Sequence, residues 1–297
     1  MLGIQEHTKT ITLAVILLAT AALAAENPVL SPDELVSKST ANEIKASTDP
    51  TAFLFRSRKE TPRGSQTRLY VQTRDAMAGM LIAINDQPLQ PEQRQAEEGH
   101  LQFLANNPDE LKKKGQREKE DAGRVSRIVR ALPYAFLYEY VGTEESRPGV
   151  GKPGDELVRL KFRPNPKYDP PTRVEQVLTG MQGYLLIDKD QLRIAQIDGT
   201  LFRDVGFGWG ILGHLDKGGR FQVDQGNVGE NAFEITRMSL SFTGKLLLFK
   251  SLLIKSTETY RDFQPVPPNL TFAQGVALLK KQQQEMTASG NHVAAQR

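Results

Sequence analysis

The chain has 297 residues, no cysteine, 25% charged residues and a formal net charge of +3. Without cysteine there are no disulfide bonds, so the fold must be held by burial, for which a chain of this length is sufficient. The small net charge does not indicate a protein that binds nucleic acid, because such proteins carry a strongly basic surface.

The first 25 residues are typical of a secretory signal peptide. Residues 1–9 form a leading region with one lysine, residues 11–21 are an apolar run, and Ala22-Leu-Ala24 fits the small-residue pattern of a cleavage site. The apolar run is shorter than the roughly 20 residues of a membrane span, so a cleaved signal is favoured over an uncleaved anchor. The sequence therefore predicts a mature chain that lies outside the cytoplasm.

A helix followed by three strands is predicted next. Ser31-Pro32-Asp33-Glu34 has a serine cap, a proline at the first helical position and acidic residues in the first turn, and the helix is expected to reach about Lys45. Alternation of apolar and polar residues then predicts strands over 52–58, 68–73 and 77–84.

A charged helical insert is predicted over residues 91–132, which are rich in Glu, Gln, Lys and Arg. A second helix starts within it at Asn107-Pro108-Asp109-Glu110. The basic run Lys112-Lys-Lys114 is interpreted as a solvated helix face, the alternative being contact with an anionic membrane surface. Four apolar residues recur at helical spacing and mark the side that docks: Val125, Ile128, Val129 and Leu132.

The rest of the chain is dominated by a predicted meander of antiparallel strands over 180–263, which strands at 134–141 and 156–162 precede. Its alternation, broken by Gly and Asx turns, is typical of hairpins. Such a sheet must cover its apolar face with helices, a second sheet or a ligand. A short helix and a disordered tail are expected over 264–297. In the second strand of the meander, four residues are expected to share one apolar face: Ala195, Ile197, Gly199 and Leu201.

No motif of the sequence indicates a catalytic or metal site. His214 near Asp216 is interpreted as structural, since no GxSxG nucleophile motif accompanies the pair. Residues 208–213 match GxGxxG, but a hairpin turn follows where a dinucleotide site needs a helix, so these glycines are interpreted as a bend. Asn269-Leu-Thr271 is interpreted as a helix cap in preference to a glycosylation site. Asp188 and Asp190 are interpreted as turn residues. No cofactor or metal is predicted.

Three segments resemble the LolA/LolB-like superfamily of periplasmic carriers that sort outer-membrane lipoproteins. They are the strand end Leu81–Leu89, the run Gly183–Asp188 and, after a short turn, Leu192–Ile194. The last two are similar to a pair of strands with the pattern Gly-x-hydrophobic-hydrophobic-Ile-Asp. The C-terminal half also resembles secreted bacterial proteins that share a motif like residues 204–211.

The resemblance implies an α+β fold in which a curved antiparallel sheet forms an incomplete (half) β-barrel, with helices covering its concave face. The implied domain spans 26–263. It also implies a monomeric, non-enzymatic periplasmic carrier with a role in outer-membrane biogenesis. Its partners would be the acyl chains of lipids or lipoproteins and envelope membrane proteins. The alternation predicts seven residues that line the cavity: Ile197, Leu201, Phe221, Val223, Met238, Leu240 and Phe242.

Phe207 and Trp209 are predicted at the mouth of this cavity, the alternative being that they plug the end of the barrel. For the seven lining residues the alternative is ordinary core packing. Two other functions stay open at the level of sequence. One is an envelope-sensing or protein-interaction module of the same fold, with residues 91–132 as the contact surface. The other is a hydrolase built around His214 and Asp216.

Overall fold

The computed structural model describes residues 30–48, 50–207, 213–229, 232–246 and 250–294, and all structural statements below concern these residues. The predicted signal peptide and Trp209 lie outside them. The helices are α1 (Pro32–Thr48), α2 (Pro91–Asn106), α3 (Pro108–Ala135), α4 (Arg173–Gln176) and α5 (Phe272–Ala294), and a 3-10 turn, Val177–Gly180, follows α4.

The strands belong to one antiparallel sheet. They are β1 (Phe53–Thr61), β2 (Gly64–Val71), β3 (Ala78–Ile84), β4 (Gln87–Pro88), β5 (Phe136–Glu145), β6 (Glu156–Pro164), β7 (Met181–Asp188), β8 (Arg193–Leu201), β9 (Val205–Phe207), β10 (Gly213–Leu215), β11 (Arg220–Gly229), β12 (Ala232–Leu246) and β13 (Lys250–Pro265). The prediction of an α+β fold with a large antiparallel sheet is therefore confirmed.

The strand order is β4-β3-β2-β1-β13-β12-β11-β8-β7-β6-β5, and β10 pairs with β12 and β9. The last strand, β13, lies between β1 and β12 and joins the four N-terminal strands to the meander. It has 16 residues and is hydrogen-bonded to β1 on one side and to β12 on the other. The sheet is therefore completed by a segment near the end of the chain.

Helix α1 begins as the sequence predicts. The Ser31 hydroxyl accepts the Glu34 N–H at 3.3 Å, and the Glu34 carboxylate accepts the Ser31 N–H at 2.9 Å, so each residue satisfies a free donor of the other. The hydrogen bonds that the Ser31 N–H and the Ser31 hydroxyl donate to the Glu34 carboxylate lower the pKa of Glu34. Leu35 and Val36 are buried on the side that packs on α3 and on β5, β7 and β8.

The pairing register separates two faces of the sheet, because directly opposed residues of antiparallel strands share a face. Ile197 is opposite Val223, which is opposite Met238, and we name the side that carries them the cavity face. Arg237 is opposite Thr259, which is opposite Arg58 on its other side. Since Arg237 follows Met238 directly in β12, these residues lie on the other side, which we name the arginine face.

Helices α2 and α5 pack on the arginine face of β1–β3. Leu54 lies four residues before Arg58 in β1, and residues at even spacing in a strand share a face. Leu54 is opposite Val71, so Leu54 and Val71 both lie on the arginine face. They form a core with residues of both helices: Leu69, Ala78, Met80, Leu101, Leu104, Phe272, Val276 and Leu279. Within the part of the chain that the structure describes, α2 and α5 therefore stabilise the sheet from the side away from the cavity face.

Helix α5 is longer than the short helix that the sequence predicts. It has 23 residues and runs to Ala294, which leaves only residues 295–297 of the predicted tail outside the described ranges. Leu279 is fully buried, and Met286 further along packs against the same core. The helix continues because residues 280–288 are mostly good helix formers.

The prediction that Ala195 shares a face with Ile197 and Leu201 is wrong. Leu186 pairs with Gln196 whereas Ile187 pairs with Ile194, so Ala195 is an extra residue in β8, a β-bulge. It is fully buried in a cluster with Val150, Leu157 and Leu186 on the arginine face. The bulge shifts the alternation of β8 by one residue. The sequence of β8 alone does not indicate this shift.

Candidate functional site

An apolar cavity of about 430 Å³ lies against the cavity face. This volume is within the roughly 300–1,000 Å³ that is typical of small-molecule sites. Its lining contains one charged side chain, that of Arg173. The lining residues are Ile128, Leu132, Phe136, Tyr138, Phe162, Arg173, Val174, Val177, Leu178, Met181, Leu185, Ile197, Leu215, Phe221, Leu240, Phe242 and Ile254.

Both strands and helices contribute to the lining. Leu185 is opposite Ile197, Phe221 is opposite Leu240, and Phe242 is opposite Ile254, so three pairs of strand partners form part of the wall. The helical contribution comes from α3, α4 and the 3-10 turn: Ile128, Leu132, Val174, Val177 and Leu178. Half-buried side chains such as Ile197 and Leu240 are consistent with open space beside them.

Four of the seven residues predicted from sequence line this cavity: Ile197, Phe221, Leu240 and Phe242. Val223 and Met238 are half-buried on the same face one pair further along, outside the lining. Leu201 is fully buried and also outside it, at the end of β8 where its N–H donates to Gly219. Phe207 ends β9, but its side chain lies outside the described part of the chain, as does Trp209.

Other lining residues were missed by sequence reasoning. Phe136, Tyr138 and Phe162 lie in strands that the alternation predicts, but nothing local places those strands next to the meander. No element is predicted over residues 173–179, because α4 and the 3-10 turn have four residues each, too few for a periodic pattern. The one available signal was the apolar stripe of α3, which includes Ile128 and Leu132.

A glycine allows Phe221 to lie across the neighbouring strand. Gly199 of β8 is opposite Phe221 of β11 and also opposite Gly183 of β7. A Cβ atom on Gly199 would overlap the Phe221 ring. The absence of a side chain there lets the aromatic ring cover β8 and reach the cavity, a use of glycine that is common where groups approach a strand closely.

Among the described residues, two polar side chains line the cavity, and they differ in their partners: that of Tyr138 is hydrogen-bonded within the protein and that of Arg173 is not. The Tyr138 hydroxyl donates to the Leu132 carbonyl at 2.8 Å, and burial raises the pKa of Tyr138, so this group stays neutral. Arg173 is exposed in the first turn of α4 and makes no ion pair with another described residue. A cation at the edge of an apolar cavity can bind an acidic group of a ligand whose apolar part lies inside.

A buried charged cluster fixes α1 to the sheet. Glu43 accepts hydrogen bonds from Arg193 at 2.8 and 2.9 Å, from the Ile194 N–H at 2.9 Å and from Gln225 at 3.1 Å. The side chains of Arg193 and Glu43 are only 14% and 12% exposed. Burial raises the pKa of nearby Glu234 to about 7; the Arg193 charge opposes this shift and the Glu43 charge adds to it.

Glu234 is expected to make the protein less stable as the pH rises from about 4.5 to 7. The pKa of Glu234 is 4.5 in its ordinary environment and about 7 in the fold, so over this interval the folded protein binds more protons than the unfolded chain. Stability falls with pH in such an interval. Glu234→Gln should remove this dependence and raise the free energy of unfolding above pH 7 by about 1–2 kcal/mol, with little effect near pH 4.5.

Urea denaturation at pH 5 and pH 8 measures this difference. The control is Glu139→Gln, because Glu139 is exposed on β5. An unchanged difference between the two pH values in Glu234→Gln would contradict the assignment.

His214 and Asp216 form a contact of 3.1 Å between Nε2 and Oδ1, and both side chains are partly exposed. The strand partners of His214 are Gly206 and Lys245, neither of which carries a hydroxyl nucleophile.

Within the described ranges, no three or more His, Cys, Asp or Glu residues are grouped to hold a metal ion. None of the helices in those ranges has the length and apolarity of a membrane span.

Comparison with protein-family models, with curated proteins and with solved structures gives no match in any of the three.

Proposed function

We propose that the protein is a non-enzymatic periplasmic carrier that binds an acyl chain of a lipid or lipoprotein in the apolar cavity. In this proposal the sheet is an incomplete barrel, and α1, α3 and α4 cover its concave face. The observation that carries the proposal is the composition of the lining: 17 residues of which one, Arg173, is charged.

The energetics of transfer support an acyl ligand. Each methylene moved from water into an apolar site gains about 0.8 kcal/mol, so a chain of about 16 carbons gains on the order of 10 kcal/mol before the costs of ordering. Binding of this kind needs no catalytic group. The half-buried side chains of Val223 and Met238 extend the apolar surface beyond the cavity, which favours a ligand longer than the cavity itself.

Arg173 supports a ligand with an acidic end. Arg173 belongs to the lining and is exposed to solvent, so in this proposal its guanidinium pairs with a carboxylate or phosphate while the hydrocarbon lies inside.

The test is the lipid content of the protein and its affinity for acyl compounds. The chain from residue 26 onward, purified and extracted with organic solvent, is expected to release lipid that mass spectrometry identifies. The delipidated protein is expected to bind a fluorescent fatty-acid probe that palmitate displaces. Palmitate should bind more tightly than its methyl ester, and Arg173→Ala should remove that preference. Recovery of no lipid together with no probe binding would refute the proposal.

A further inference from the structure

A second cavity, of about 570 Å³, lies on the arginine face. Its character is the reverse of the first, because every described residue that lines it is polar or charged. The lining is formed by Arg56, Arg58, Glu60, Thr67, Asp86, Arg237, Thr257, Thr259 and Arg261. These residues come from β1, β2, β12 and β13 and from the turn after β3. The site is separated from the apolar cavity by the sheet itself.

The register concentrates the arginines around Thr259. Arg58 and Arg237 are its strand partners on the two sides, and Arg261 follows two residues later on the same face. Neighbouring strands are about 4.8 Å apart, so the Arg58 and Arg237 backbones lie roughly 10 Å from one another with Thr259 midway. Arg237 and Arg261 therefore flank Thr259, one on the neighbouring strand and the other two residues along β13.

The charges of the site are only partly compensated. Arg56 pairs with Asp262 at 2.6 Å, and Arg58 forms two hydrogen bonds of 2.7 and 2.6 Å to Asp86 and also pairs with Glu60. The three carboxylates therefore pair with two of the four arginines, so two guanidinium groups are left unpaired and the formal charge of the seven groups is +1.

The side chains of Arg237 and Arg261 have no ion-pair or hydrogen-bond partner among the described residues. The nearest acidic strand partner of Arg237, Asp224, accepts hydrogen bonds from Gln196 at 2.7 Å and from Gln222 at 2.9 Å instead. Arg261 is directly opposite Arg56, a like-charge pairing that is unfavourable in an antiparallel sheet. A sheet face with two unpaired guanidinium groups and a net positive charge can bind a small anion.

We propose that this cavity is a binding site for the phosphate group of a soluble small molecule. A phosphate monoester carries a charge of about −1.5 to −2 at neutral pH and offers three acceptor oxygens. The guanidinium groups of Arg237 and Arg261 supply paired donors that match these oxygens, and the Thr259 hydroxyl supplies another.

The arrangement favours a soluble phosphate over the surface of a membrane. Glu60 and Asp86 line the cavity and Asp262 pairs with Arg56, and these carboxylates would repel an anionic bilayer laid across the site. A single phosphate group that enters the recess toward Thr259 meets the unpaired arginines instead. Because the site lies on the opposite side of the sheet from the apolar cavity, it is independent of the proposed acyl binding.

Isothermal titration of the protein with inorganic phosphate and with pyrophosphate, at constant ionic strength, tests the site. Saturable binding is expected, and added sodium chloride should weaken it. Arg237→Ala and Arg261→Ala should each weaken binding by roughly tenfold, the effect of one lost charge-assisted contact. The control is Arg94→Ala, which removes an exposed arginine of α2 and should change nothing.

Three results would overturn the proposal. One is that neither inorganic phosphate nor pyrophosphate binds saturably. Another is unchanged binding in the double variant Arg237→Ala/Arg261→Ala, with circular dichroism showing that the variant is folded. The third is binding of vesicles that contain phosphatidic acid without binding of phosphate or pyrophosphate, which would assign the arginines to a membrane surface.

Discussion

Replacing Leu240 by glutamate is expected to weaken the binding of an acyl probe by about a hundredfold or more. Leu240 lines the apolar cavity and is opposite Phe221, another lining residue. A carboxylate at this position would lose its hydration when an acyl chain enters, at a cost of about 3 kcal/mol or more, and each 1.4 kcal/mol is a factor of about ten in affinity. Fluorescence titration of delipidated protein measures the change.

The matched control is the neighbouring substitution Ser241→Glu. Ser241 is exposed and points to the other side of β12, since successive residues of a strand alternate between faces. It adds the same charge one residue away, opposite Lys255, and should leave the affinity unchanged. Equal losses in both variants, or no loss in Leu240→Glu while the fold is retained, would show that the acyl chain does not bind in this cavity.

Removing the carboxylate of Glu43 is expected to lower the free energy of unfolding by about 3–5 kcal/mol. Glu43→Ala leaves Arg193, whose side chain is 14% exposed, without its acidic partner, and breaking one side of a buried ion pair has a cost of this size. The Ile194 N–H and Gln225 also lose their acceptor. Urea denaturation at pH 8 measures the effect.

A double-mutant cycle separates the ion pair from the rest of the cluster. The variant Glu43→Met/Arg193→Met should be less destabilised than the sum of its two single variants, because neither charge is left buried alone. Glu110→Ala serves as the control, since Glu110 and Lys113 form an exposed pair on α3, and no measurable change is expected. Additive single effects would show that Glu43 and Arg193 do not stabilise each other.

Local features of the chain could be predicted because their causes are local. The start of α1 follows from Ser31 and Glu34, which satisfy each other's backbone groups within four residues. The strands follow from alternation, and four cavity residues follow from the face on which alternation places them. Ala195 departs from this rule because a bulge depends on how two strands pair and not on the residues of one strand.

Features that depend on distant pairing could not be predicted from the sequence. Nothing in the sequence of β13 indicates that it pairs with β1. The sequence therefore does not determine on which side of the sheet α2 and α5 pack. The arginine site has the same origin. Arg58, Arg237 and Arg261 each look like an ordinary polar residue of an alternating strand, and only the register brings them around Thr259.

The position of β13 has a consequence for synthesis of the protein. Ser57 in β1 contacts Glu258 in β13, 201 positions later, so β1 has an unpaired edge until almost the whole chain exists. Contacts of such long separation slow folding, and exposed strand edges invite association between chains. A ribosome-bound or truncated chain that ends before residue 250 would therefore have its N-terminal hairpins and its meander as two disconnected sheets, and we expect it to aggregate.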